Sequence, residues 1–214
     1  MNCKNSGKKT AHDLLDDCVQ KIARIAGVDY TNNKDMVPSH DDSNKKADAF
    51  LSLTRDAWPQ VLDFTMVHPY TSNGNWNYDV IKQRHRGKMD KHNHAYERQG
   101  MSFIPCVATT YGALGEDFVR LLYVLAKRQA EIIIKYHRPD SNFDQMTGVC
   151  FSAIKAKVGA ATARGMAMRA LSCDKLGLRR MKPVVYNVFP GFVDQDLHVL
   201  GGHGVRGACN HDCV

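Results

Sequence analysis

The sequence lacks any apolar run long enough to cross a membrane. Its most apolar pieces, Leu121–Ala126 and Ile132–Ile134, are short and bounded by charge, which excludes a membrane-spanning helix. No internal repeat stands out, so solenoid and propeller architectures are set aside. Tryptophan is scarce, with only Trp58 and Trp76, and both read as packing or loop anchors rather than stacking platforms. Glycine is not clustered into a dinucleotide-binding loop, and the run Gly112–Gly115 is too short for one. The chain has 7 cysteines, an odd number scattered along its length, which does not make a disulfide framework. Met1–Thr10 is polar and carries Lys4, Lys8 and Lys9 with no apolar run behind them, unlike a secretory signal. Free thiols in a reducing, intracellular compartment are therefore expected.

What is present is ordinary for one folded domain. Hydrophobic residues make up 43% of the 214, enough for a single core, and charged residues 24%. The formal net charge of +7 favours a polyanionic partner, because Lys and Arg replace counterions condensed on a phosphate backbone.

Helical spacing of Leu14, Leu15, Cys18, Val19, Ile22, Ile25 and Ala26 predicts a helix over 12–26, with Thr10 as a cap and Gly27 as its stop. The polar stretch 29–46 reads as a long loop. Two strands are predicted at 47–53 and 61–68, joined as an antiparallel hairpin. A long basic helix follows over 78–99 and a third strand over 102–109. Two more helices cover 116–136 and 143–171, the last with small residues Gly159, Ala160, Ala161 and Ala163 for close packing. The order is that of an α/β layer arrangement. The chain divides into a basic segment 1–10, a domain 11–171 and a weakly ordered tail 172–214 rich in Gly, His and Cys.

Two carboxylates carry the chemistry. Asp48 interrupts an otherwise apolar strand, where burial is costly unless something binds it. Asp63 lies in the middle of the most strand-like run, and period two puts it on one face with Val61, Thr65 and Val67. Carboxylates on adjacent strands suit a hard divalent cation, Mg²⁺ or Mn²⁺, that can activate water beside a phosphate. A cation beside the attacking water is also required. Two residues after Asp63 stands Thr65, so the group must come from the basic helix, through Lys88 or Lys91. Lys82, Arg84 and Arg86 are expected to hold a DNA backbone, while His92 and His94 are expected to face solvent.

These residues resemble the restriction-endonuclease-like domain at the C-terminal end of site-specific non-LTR retrotransposon polyproteins, within the PD-(D/E)XK nuclease superfamily. Lys46-Ala47-Asp48 stands where the family has its first acid, and Asp63-Phe64-Thr65 matches the second. Lys88-Met89-Asp90-Lys91 matches the lysine run that this branch carries on the next helix. Gly100, Phe103, Ile104 and Pro105 match its following strand, and Thr110, Tyr111 and Gly112 the turn beyond. Upstream, Cys3 and His12-Asp13-Leu14 are similar to the end of a zinc-binding segment and the first helix. The resemblance covers 3–171 and implies a nuclear, metal-dependent endonuclease that nicks target DNA. With no reverse-transcriptase part in the sequence, it also implies a detached C-terminal piece. Two departures stand out: the family's proline before the first acid is absent, and Thr109 occupies a position that is often Glu. They keep a second reading open, a nuclease-fold remnant that binds nucleic acid without cutting it. In the tail, His198, His203, Cys209, His211 and Cys213 are zinc-liking residues whose spacing fits no standard zinc module.

Overall fold

A computed structural model of the chain describes residues 6–40, 43–52, 59–70, 73 and 75–171, all within the unit Met1–Arg180. Cys3, Trp58 and the tail 172–214, with its His and Cys residues, lie outside the described residues. The elements run α1 (Ser6–Ile25), β1 (Asp29–Thr31), β2 (Ser39–His40), β3 (Ser43–Lys46), β4 (Ala49–Ser52), β5 (Gln60–Val67), α2 (Val80–Glu97), β6 (Ser102–Thr109), α3 (Glu116–Tyr136) and α4 (Phe143–Leu171). The protein is mixed α/β, built on a four-stranded sheet ordered β1-β4-β5-β6. β1–β4 and β4–β5 pair antiparallel. β5 and β6 pair in parallel over eight residues, from Gln60↔Ser102 to Val67↔Thr109, so α2 is the crossover that parallel strands require.

Strand alternation divides the interior into two layers. Leu62 and Phe64 of β5, Ala49 and Leu51 of β4, and Cys106 and Ala108 of β6 face the main core. There they meet Leu15, Val19 and Ile22 of α1, Phe118, Leu122 and Leu125 of α3, and Ile154 and Val158 of α4. Each fully buried aliphatic side chain of this kind contributes about 1.5–3 kcal/mol. Val61, Phe103, Ala47 and Met101 face the other way, against Tyr96 and Met89 of α2. Asp63 shares its parity with Val61, so it emerges on the side that α2 covers.

The predicted loop 29–46 instead contains three short strands. β1 is an edge strand of mostly polar residues, and β2–β3 form a small separate ribbon. Helix α1 begins at Ser6, earlier than Thr10, and ends where Gly27 takes a φ of +63°, with the Val28 N–H donating to the Ala23 carbonyl at 3.0 Å. Close helix packing is enabled by Gly165 rather than Gly159. A Cβ on Gly165 would lie 3.0 Å from Ala11 of α1, whereas one on Gly159 would meet nothing within 4 Å. Gly165 therefore lets the first turns of α1 approach α4.

Candidate active site

The site arises because β4 is shorter than β5. Their ladder covers only Gln60, Leu62 and the residue between, so from Asp63 onward β4 no longer flanks β5. Asp48 is not within the strand, as the sequence suggested, but at a bend just before it. Its backbone N–H still donates to the Leu62 carbonyl at 2.9 Å, and its Oδ2 accepts the Phe64 N–H at 2.8 Å. Asp48 thus grips β5 on both sides of Asp63, which brings the carboxylates into one cleft of about 300 Å³. Ala11, His12, Asp48, Asp63, Phe64, Thr65, Met66, Arg84 and Lys88 line it.

Helix α2 supplies one wall. Lys88 Nζ donates to both oxygens of Asp63, at 2.8 and 2.6 Å. Lys91 is exposed to solvent, so of the two candidate lysines only Lys88 reaches the acid. One helical turn beyond Lys88, His92 is buried rather than solvent-facing, with Nε2 at 3.7 Å from Asp63 and its ring tilted against Phe103. His94 is exposed as expected. Lys82, Arg84 and Arg86 are all exposed, but they do not share one face. Spacing of four joins Arg84 to Lys88 and His92 on the cleft stripe, and Lys82 to Arg86 on another. The helix is pinned by His85 Nε2 at 2.6 Å from Asp117 in the first turn of α3.

Helix α1 supplies the opposite wall, and sequence reasoning missed it. His12 Nε2 lies 2.7 Å from Asp48 Oδ2, and its ring packs edge-on against Phe64. Lys34 also reaches Asp48, 3.2 Å from Oδ1, and donates to the Ala47 carbonyl at 2.7 Å. Tyr96 accepts the Ala47 N–H at 3.0 Å and completes the clamp on this segment.

The electrostatics follow from this packing. Burial raises Asp63 above the ordinary carboxylate value; Lys88 opposes it, and the neighbouring Asp48 carboxyl and its charge add to it. Burial acts in the same sense on Asp48, but the His12 contact, the Lys34 charge and the Phe64 N–H outweigh it and hold the carboxyl well below its usual range. The Asp48 hydrogen bond raises His12 above the usual imidazole value, with burial opposing. Behind the site, Asp16 accepts hydrogen bonds from Tyr30 and, at 3.1 Å, from Asn32.

Asp48 and Asp63 are the oxygen donors that a hard divalent cation would use. Asp48 and Asp63 line one cleft, and Mg²⁺ keeps several waters and shares ligands with substrate phosphates. Among the described residues no group of three or more His, Cys, Asp or Glu side chains is arranged to hold a metal, a condition that a two-carboxylate site does not need. Among the same residues no helix is long and apolar enough to cross a membrane. Neither the protein-family models nor the curated proteins searched contain a match to this chain.

Proposed function

We propose that the chain is a metal-dependent DNA endonuclease with a restriction-endonuclease-like core, of the kind that nicks target DNA for retrotransposition in the nucleus. The observation that carries the reading is the pairing of Asp48 and Asp63 in one cleft, with Lys88 on Asp63. The crossover from β5 through α2 to β6 and the net charge of +7 agree with it.

In this reading Asp48 and Asp63 hold Mg²⁺ or Mn²⁺, which when bound lowers the pKa of a water and stabilises charge on the phosphate. Lys88 presents its Nζ where the attacking water and the phosphate would meet Asp63. Arg84, at the cleft wall on the same helix stripe, grips a backbone phosphate, and Lys82 and Arg86 extend the basic surface. His12 and Lys34 orient Asp48. Lys91 lies outside this set.

A second reading has its own support. Protein donors already satisfy the carboxylates: Lys88 on Asp63, and His12, Lys34 and the Phe64 N–H on Asp48. That self-sufficiency suits a remnant which binds DNA without cutting. Incubation with supercoiled plasmid in Mg²⁺ or Mn²⁺ separates the two. The nuclease produces nicked circles, is stopped by EDTA, and keeps activity in Thr109→Ala. The remnant produces none and retains salt-sensitive DNA binding.

A further inference from the structure

Beyond the cleft, β5 and β6 end in a group of exposed rings that the hydrolytic chemistry does not use. Tyr70, Trp76, Tyr78 and Tyr111 are 44%, 41%, 88% and 62% exposed. Trp76 and three exposed tyrosines gather here, while Phe64, Phe103 and Phe118 are buried. The rings touch one another. Tyr111 stacks on His68 with centroids 5.8 Å apart and planes 18° from parallel. Trp76 lies 5.5 Å from Tyr111, 5.1 Å from Tyr70 and 6.2 Å from Tyr78.

Several contacts tie the described residues beneath them together. The parallel register sets Thr110 beside the end of β5, where its N–H donates to the Val67 carbonyl at 2.9 Å and its Oγ1 lies 2.7 Å from His68 Nδ1. An isolated bridge joins Tyr70 to Trp76, and the Asn77 N–H donates to the Pro69 carbonyl at 2.7 Å. The cluster presents large flat ring faces to solvent.

Its neighbours decide what it holds. Helix α2 begins two residues after Tyr78 and carries exposed Lys82, Arg84 and Arg86 within its first two turns, with Lys82 3.8 Å from Asp79. Arg84 connects that surface to the carboxylate cleft. Five residues of extended chain separate Asp63 from His68, about 17 Å at roughly 3.3 Å per residue. Along a B-form duplex, at about 3.4 Å of axis per nucleotide of one strand, this is about five nucleotides, and fewer along an extended unpaired strand. Polyanion-binding charge beside exposed rings is the combination that binds unpaired nucleotides, with phosphates on the cations and bases on the rings.

We infer that the cluster of Tyr70, Trp76, Tyr78 and Tyr111 is a stacking platform for unpaired bases of a nucleic-acid strand, a few nucleotides from the phosphate in the Asp48–Asp63 cleft. The inference deepens the nuclease reading and rests on it for the position of that phosphate. The substrate is then a duplex with a single-stranded or frayed flank.

The test uses the full chain in EDTA and labelled oligonucleotides read by fluorescence anisotropy. A blunt duplex is compared with the same duplex bearing an overhang of about six nucleotides, and with that overhang made abasic. The overhang is expected to tighten binding about tenfold over the blunt duplex, and the abasic overhang far less. Trp76→Ala and Tyr111→Ala bring the ratio to about one. Tyr136→Ala, at an exposed ring on α3, leaves it at about ten. Equal binding of normal and abasic overhangs, or a ratio unmoved by the two ring variants, overturns the inference and leaves the patch to a protein partner. The nuclease reading fails separately, by absence of Mg²⁺-dependent nicking in a protein that still prefers the overhang.

Discussion

Asp63 and His68 sit on one strand and its continuation, and their surroundings differ in every respect that decides what each can do. Asp63 is buried, and both of its oxygens accept from Lys88. His68 is exposed, among rings that touch each other and solvent. The first region fixes charge by excluding water, so each ionised group there needs a nearby partner. The second leaves broad faces open, so its energy is available to a ligand. On the proposed reading, one strand would carry a site for a reacting phosphate and, farther along, a surface for the nucleic-acid strand that brings it.

Breaking the buried region has the larger consequences. Asp63→Asn keeps the shape of the side chain and removes its charge. It is expected to reduce plasmid nicking about 10³-fold, the several kcal/mol that metal-assisted charge stabilisation supplies. Lys88→Met should reduce nicking about 10²-fold, while Lys91→Met stays within about twofold, since only the first touches Asp63. A reversal of that order in side-by-side rate measurements would remove Lys88 from the site. Gly165→Val forces a side chain against Ala11, next to His12, and should cost about 1–3 kcal/mol by thermal unfolding, as overpacking does. The exposed end gives the smallest structural response. Trp76→Ala should alter stability by no more than about 0.5 kcal/mol, and a larger drop in melting temperature would make that ring a packing element after all.

The sequence carried the buried half of this contrast better than the exposed half. Period-two alternation was enough to put Asp63 opposite Leu62 and Phe64, and strong patterns marked β6, α3 and α4 at the boundaries observed. Asp48 was recognisable as a carboxylate in apolar company, although it stands at a bend rather than within β4. The choice between Lys88 and Lys91 required the direction in which α2 faces β5, which no helical pattern gives when both faces are basic. His92, four residues after Lys88, could have been placed on the cleft stripe by spacing alone. His12 and Lys34 could not, because they reach Asp48 only through the Gly165–Ala11 contact and the fold of the 29–46 segment. The short strands in that segment are polar edges held by pairing rather than by propensity. The ring cluster draws on residues 68, 70, 76, 78 and 111; the parallel β5–β6 register brings Tyr111 to His68, and a local bridge joins Tyr70 to Trp76.

The central claim is that Asp48 and Asp63 share one cation. Titration of Mn²⁺ into the full chain, followed by water-proton relaxation at pH 7, measures that directly. The account predicts a Mn²⁺ site in the unaltered protein that is displaced by Mg²⁺ and lost in both Asp48→Asn and Asp63→Asn. Mn²⁺ binding that persists unchanged in either variant would contradict it.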